Sequence, residues 1–278
     1  MADQPMVWVD DGLVPLDRAA VSPLDHGVTV GDGIFETIQI VRDEPFAAAR
    51  HLARLRRSAA GLGLEGLPDD GELRQAMAAV IGANRVRVGR LRLTVTGGVS
   101  PLGSDRGDSG RSVLIATAEL PAWEASTPVI TVPWWRNEHS AVAGLKTTSY
   151  AENVVALAYA HSRGGSEAIF ANTAGELCEG TGSNVFVVHE GRLCTPPLAS
   201  GCLAGITREL VCELVEVEEV ALPLAALASA AEAFLTSSTR DVQSIRLLDG
   251  LALPAFPGPR TREAAAAFAA LMAHDLDP

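Results

Sequence analysis

One residue type is nearly missing from this 278-residue chain: of its 22 lysine and arginine residues, a single one, Lys146, is lysine. Arginine stays protonated in proteins and forms no imine, whereas a desolvated lysine amine can act as nucleophile and as base. A chain that supplies its positive charge with arginine and keeps one central lysine points to amine chemistry there, the plain alternative being a surviving surface lysine. Three later features suggest an anionic partner for that amine. Gly205-Ile206-Thr207 is a glycine entry into a helix, and free N–H groups at a helix start, backed by the dipole, bind phosphate. Thr236-Ser237-Ser238-Thr239 sets four hydroxyls in a row behind an apolar strand, where several can donate to one anion. Glu179 opens the stretch Glu179-Gly180-Thr181-Gly182-Ser183-Asn184, a carboxylate beside glycines that let backbone and ligand approach closely. Each feature also has an ordinary explanation as a cap, a turn or a solvated carboxylate.

Composition excludes several other chemistries. The net charge is -12, without a basic stripe or tail, so a nucleic-acid partner is not expected. A basic amphipathic helix and an apolar run of membrane-spanning length are both missing, so no membrane partner is expected either. Cys178, Cys194, Cys202 and Cys212 show no C-x-x-C spacing and read as reduced thiols. The six histidines are scattered, and no metal site is expected. The N-terminal MADQPMVWVDDG lacks the charge-then-apolar pattern of a signal peptide, which makes the cytoplasm the expected compartment.

The elements that must position these residues alternate irregularly between strand and helix. In the first half, residues 6–10, 34–42, 87–96 and 112–118 read as strands, with a turn at Asp11-Gly12. Helices are expected over 48–62, with Leu52, Leu55, Ala59 and Leu62 on one face and arginines on the other, and over 70–83 from the Asp69-Asp70 turn. The glycine-rich stretch 97–110 reads as a long mobile loop. Prolines bracket residues 120–127, taken as a linker between domains at 1–119 and 128–278. In the second half strands are expected at 128–134, 166–171, 183–188, 191–195, 217–222, 232–236 and 242–248. Helices are expected at 149–163, from Gly205 to about 216, and at 260–273. This is an α+β pattern in two domains, without internal repeats.

Six ordered motifs carry a family resemblance: Asp25-His26-Gly27 with Gly31-Asp32-Gly33-Ile34-Phe35-Glu36; His51-Leu52-Ala53-Arg54-Leu55; Gly144-Leu145-Lys146; Glu179-Gly180 with Ser183-Asn184-Val185-Phe186; Thr195-Pro196-Pro197; and Leu203-Ala204-Gly205-Ile206-Thr207-Arg208. Over nearly its whole length the chain resembles the class IV aminotransferases, the fold-type IV enzymes of pyridoxal 5′-phosphate (PLP). These include D-amino-acid aminotransferases, branched-chain aminotransferases and 4-amino-4-deoxychorismate lyases. The resemblance implies a two-domain α+β enzyme with its active site at the domain interface. Lys146 matches the Schiff-base lysine, which also shuttles the substrate proton. Glu179 matches the carboxylate on the pyridine nitrogen, which keeps the ring an electron sink. Arg54 matches the phosphate-binding arginine, Gly205, Ile206 and Thr207 the phosphate-binding helix start, and Ser238 or Thr239 the last phosphate hydroxyl. Tyr150 corresponds to a tyrosine near the cofactor's O3′, one residue nearer the lysine than in branched-chain enzymes. Phe35 and Thr181 match positions that line the substrate.

The resemblance also frames the reaction. D-amino-acid aminotransferases carry an Arg-x-His pair in the loop matching 97–110, whereas this chain reads Gly97-Gly98-Val99-Ser100-Pro101-Leu102-Gly103. Arg92, which alternates with Arg90 on one strand face, is the first candidate for the substrate carboxylate, and Arg106 the second. The leading reading is a transaminase of D-amino acids and keto acids. The alternatives are a 4-amino-4-deoxychorismate lyase making p-aminobenzoate for folate, then a branched-chain L-aminotransferase. A PLP-binding relative without catalysis is disfavoured by the presence of both Lys146 and Glu179. Relatives imply a homodimer in which the 97–110 loop completes the partner's site.

Overall fold

Alternation of side chains builds the first sheet. In the computed structural model, which describes residues 4–108, 110–120 and 122–278, Leu91, Leu93 and Val95 face the core while Arg90 and Arg92 between them are exposed, as a strand with one solvated face requires. Six antiparallel strands make up the sheet: β1 (Met6–Val9), β2 (Gly12–Pro15), β3 (Gly33–Val41), β4 (Glu44–Pro45), β5 (Val88–Thr96) and β6 (Ser112–Ala118), in the order β2-β1-β6-β5-β3-β4. A short α1 (His26–Thr29) precedes β3. The helices α2 (Ala48–Leu62) and α3 (Asp70–Asn84) cover the apolar face, joining Leu52, Leu55, Leu73 and Met77 to Ile34, Ile38 and Leu91. Asp69 and Glu72 form a reciprocal capping box that starts α3, and Gly63, at φ 64°, ends α2 in the left-handed conformation that glycine adopts without strain.

The polar interior of this unit departs from the helical periodicity of α2, which sets its arginines on the face away from the core. Glu36 shares the core face of β3 with Ile34 and Ile38 and is 0% exposed, and Arg54 is 4% exposed. Glu36 accepts from Arg54 Nε at 2.9 Å and Nη2 at 2.6 Å, and from His51 Nδ1 at 2.7 Å. Burial alone would raise the Glu36 pKa; the Arg54 charge and hydrogen bonds outweigh it and hold the carboxyl at about 2. Burial pushes the His51 pKa down against the pull of Glu36, so a neutral His51 carries its proton on Nδ1, because an ionised carboxylate can only accept.

The described residues up to 120 form one compact unit with Leu145–Tyr150 and Asp275–Pro278; Ala122–Gly144 and Ala151–His274 form the other. Pro121 of the expected linker and Ser109 of the expected loop lie outside the described residues. The second unit contains β7 (Ser126–Arg136), α4 (Ala151–His161), β8 (Glu167–Asn172), β9 (Leu177–Gly180), β10 (Asn184–His189), β11 (Arg192–Thr195), α5 (Ile206–Leu214), β12 (Glu218–Glu219), α6 (Ala225–Ala228), β13 (Ala233–Ser237), β14 (Asp241–Leu248), β15 (Leu251–Ala252) and α7 (Pro259–His274). Its mixed sheet runs β12-β11-β10-β13-β14-β7-β8-β9, with β15 on β14. β7 lies parallel to both β14 and β8. Phe186 and Phe234 stack at 4.7 Å across β10 and β13.

Three differences from the sequence reading bear on function. The strand expected from 128 begins at Ser126, so part of the 120–127 segment is sheet. The helix expected from 149 begins at Ala151, because residues 146–148 bond to β3 instead. Four-residue β9, which carries Glu179, is too short to leave a periodic signal. No helix of the described residues is long and apolar enough to cross a membrane. Among them no cluster of His, Cys, Asp and Glu is arranged for a metal ion.

Acid unfolding should carry the signature of Glu36. Its folded pKa is depressed from 4.5 to about 2, so its contribution is complete above the unfolded value and is lost as pH falls through that window. Glu36→Gln should abolish that slope and, by leaving Arg54 without its counter-charge, cost about 3–5 kcal/mol at neutral pH. Urea melts of both proteins across the acid range measure this; identical pH dependence in the two would refute it.

Candidate active site

In the first unit, backbone hydrogen bonds fix the lysine. Phe35 N–H donates to the Lys146 carbonyl at 3.1 Å, Thr148 N–H to the Gly33 carbonyl at 2.8 Å, and Lys146 N–H to Ser58 Oγ on α2 at 3.1 Å. These contacts lay residues 146–148 along the start of β3. The half-buried Lys146 extends its Nζ over the Phe35 ring, 4.3 Å from the centroid, and 5.8 Å from that of Tyr150. Phe35 and Tyr150 meet edge to face at 5.1 Å. Arg92 reaches the same Phe35 ring from β5, its Cζ 3.2 Å from the centroid, and donates to Thr37 Oγ1 at 3.3 Å. Partial burial lowers the Arg92 pKa to about 10, with Tyr150 and Glu36 opposing the shift. One aromatic platform therefore carries the amine and a guanidinium together.

The two candidate carboxylate arginines differ sharply. Arg92 shares the Phe35 ring with Lys146. Arg106 spends Nε and Nη2 on Asp32 at 2.7 Å each and Nη1 on the Gly63 carbonyl at 2.8 Å. Asp32, held below its ordinary pKa chiefly by that Arg106 bond, also meets His26 Nδ1 at 3.1 Å, and His26 Nε2 meets the Gly103 carbonyl at 3.0 Å. The described part of the expected mobile loop is thus pinned at two points.

The second unit holds Glu179, the Gly205 helix start and the hydroxyl run. Glu179, with its side chain 12% exposed, accepts from Leu203 N–H at 2.9 Å. Leu203 leads directly into Gly205 and α5, so the carboxylate is tied to the segment that opens the helix. Gly205 caps α5 without a side-chain hydrogen bond. A Cβ there would collide with the Asn184 amide oxygen, while the Asn184 amide nitrogen donates to the Leu203 carbonyl at 2.8 Å; glycine is required by close approach. Ile206 and Thr207 are buried in the first turn. β13, on which α5 packs, ends at Ser237, and half-buried Ser238 and Thr239 form the turn beyond it. Thr181, the second expected substrate-lining residue, donates both its N–H and its hydroxyl to buried Glu167, which also accepts from Ser183 Oγ at 3.1 Å and Arg240 Nη2 at 3.3 Å.

The donor set fits a phosphorylated, nitrogen-containing ring. Thr236 Oγ1, at the head of the hydroxyl run, is buried with no hydrogen-bond partner among the described residues, a state that buried hydroxyls rarely keep. A helix start without a side-chain cap lies nearby in the same unit, and a carboxylate with one oxygen on a backbone amide supplies a partner for a protonated ring nitrogen. Sequence reasoning has no handle on Ser58 or on Arg136, whose Nε lies 3.2 Å from Glu179 Oε1, because a lone serine or arginine in a helix or strand carries no motif.

The family model described as amino-transferase class IV matches residues 33–248. A protein named as a branched-chain-amino-acid aminotransferase of Methanocaldococcus jannaschii is 32% identical over 253 residues, 88% of each chain. The D-alanine aminotransferase of Bacillus licheniformis is 30% identical over 90% of this chain and 91% of its own. Among solved structures, the branched-chain aminotransferase of Thermoproteus uzoniensis with norvaline superposes with a TM-score of 0.89 at 29% identity, covering 96% of this chain and 94% of that one. Enzymes of this kind are PLP-dependent, and the donor set fits that cofactor. Motifs, fold and both sets of relatives agree, and the chain belongs to the class IV aminotransferase family.

Proposed function

We propose that this chain is a PLP-dependent transaminase that moves an amino group between an amino acid and a 2-oxo acid, with D-amino acids as preferred donors. The observation that carries the reading is the only lysine of the chain, half-buried with its Nζ over the Phe35 ring that Arg92 also meets. When bound, PLP supplies an electrophilic carbon that captures amines and a ring that takes up the electrons released at the substrate α-carbon. Lys146 tethers the cofactor and moves the proton at that α-carbon. Glu179 faces the ring nitrogen as a carboxylate. Arg54, held by Glu36, grips the phosphate together with the start of α5 at Gly205, Ile206 and Thr207 and with Ser238 or Thr239. Arg92 receives the substrate carboxylate through its two-pronged guanidinium, and Phe35 and Tyr150 form the wall beside it.

Similarity to a D-alanine aminotransferase along 90% of the chain supports the D preference. The second reading, a branched-chain L-aminotransferase, is supported by the 32% identity to the M. jannaschii protein. Exposed Val28, Val30, Val99 and Leu102 support a homodimer in which the 97–110 loop completes the partner's site, since exposed large apolar side chains favour a covered surface. The four free cysteines support a cytoplasmic location.

Single amino acids added to the PLP-loaded protein test the substrate. Conversion of the visible absorption band to that of pyridoxamine phosphate by D-alanine or D-glutamate, but not their L forms, is expected. Conversion by L-leucine alone would transfer the reading to the branched-chain type, and no conversion by any amino acid would turn it to the lyase. Lys146→Ala should remove the visible band and reduce turnover by about 10² or more; an unchanged band would end the proposal. Arg92→Leu should raise KM roughly ten- to a hundredfold through the lost charged hydrogen bonds, leaving the band intact; an unchanged KM would remove Arg92 from the carboxylate site. Dilution to the monomer, followed by sedimentation, should abolish activity; a fully active monomer would eliminate the shared loop.

A further inference from the structure

We propose that Arg136 is a positioning residue that orients the Glu179 carboxylate and keeps it anionic toward the cofactor ring nitrogen. The inference rests on the reading of Glu179 as that nitrogen's partner.

Arg136 is the last residue of β7, and its side chain is 17% exposed. Three contacts hold its guanidinium independently of Glu179. Its Cζ lies 4.3 Å from the centroid of the Phe170 ring on β8. Its Nη1 donates to Asn153 Oδ1 at 3.1 Å and to Glu152 on α4. The remaining edge turns to the carboxylate: Nε is 3.2 Å from Glu179 Oε1, and this buried nitrogen has no aligned hydrogen-bond acceptor. Phe170 is also the cross-strand partner of Glu179 between β8 and β9, so the platform for the arginine and the strand bearing the carboxylate move as one piece. Asn153 extends the brace, its amide nitrogen donating to the Thr181 carbonyl two residues beyond Glu179.

Glu179 is consequently gripped on both oxygens, Oε1 by the Arg136 cation and Oε2 by the Leu203 amide at 2.9 Å. A carboxylate and a ring nitrogen facing each other share one proton. A cation in contact with the carboxylate stabilises its ionised form, which leaves that proton on the ring. A guanidinium suits the role because it stays charged when buried and stacks on an aromatic face while one edge points elsewhere.

The test uses PLP labelled with ¹⁵N in the ring, loaded on the full-length protein, with the ring ¹⁵N shift and PLP affinity as readouts. Wild type is expected to give the shift of a protonated ring. Arg136→Gln should move it toward neutral pyridine and weaken PLP binding about tenfold, whereas Arg136→Lys, which keeps the cation, should retain most of the wild-type shift. Thr207→Ala should weaken PLP binding without moving the ring signal, separating phosphate grip from ring protonation. A wild-type shift in Arg136→Gln, with Glu179→Gln displaced, overturns the role of Arg136 and leaves that of Glu179 standing. A wild-type shift in Glu179→Gln overturns the reading of Glu179 itself, and the proposal with it. Should Arg136→Gln not fold, Arg136→Lys decides: a neutral-pyridine shift in that folded variant overturns the proposal.

Discussion

Strand β3 ends its pairing with β4 after only two residues, at Ile40 and Val41, and the edge it leaves open at Gly33–Phe35 is filled by residues 146–148. Buried amides and carbonyls must find partners, and here the partners are the Lys146 carbonyl, the Thr148 amide and the isolated bridge between Ile34 and Thr147. This pairing sets the lysine backbone against one strand. The alternation of β3 then presents Phe35 to the amine and Glu36 to the core, on opposite faces. Register decides the rest: Thr37 is opposite Arg92, so the guanidinium arrives at the same aromatic ring.

A second constraint is the burial of charge. Glu36 with Arg54, Glu167 with Arg240 and Glu179 with Arg136 are carboxylate–arginine pairs of low exposure. Buried charge is tolerated only when paired and hydrogen-bonded. Arginine serves this structural role well, with a fixed fork, no loss of charge and a flat face for stacking, as Arg240 shows over Trp123 at 3.7 Å. Lysine does it less well and alone among the two can lose its proton to react. The division of labour between 21 arginines and one lysine matches that chemical difference.

In the second unit, economy of backbone links the candidate groups. Leu203 connects Glu179, through its amide, to the helix start two residues later, and Asn184 reads the same segment through the Leu203 carbonyl and the space left by Gly205. A displacement of α5 would carry the carboxylate's partner with it, so the helix start at Gly205 and Glu179 form one mechanical assembly within that unit.

The sequence by itself determined the chemistry on offer and most of the elements. A lone lysine is visible without coordinates, and so are six ordered motifs; the helix over 48–62 matches its period because Leu52, Leu55 and Ala59 recur at helical spacing. Tertiary structure alone decided what each polar group does. Periodicity treats the α2 arginines alike, yet Arg54 is buried on Glu36 and Arg57 is exposed, because the choice depends on which β3 residue faces the helix. Arg92 ranked ahead of Arg106 for a carboxylate in the sequence, and only the structure shows Arg106 bonded to Asp32. Arg136 had no signature at all, and Thr181 lost its hydroxyl to Glu167 fourteen residues earlier. Periodicity records which side of an element is apolar; it carries no record of which distant carboxylate will stand opposite, since that is set by strand register and helix packing between segments far apart in the chain.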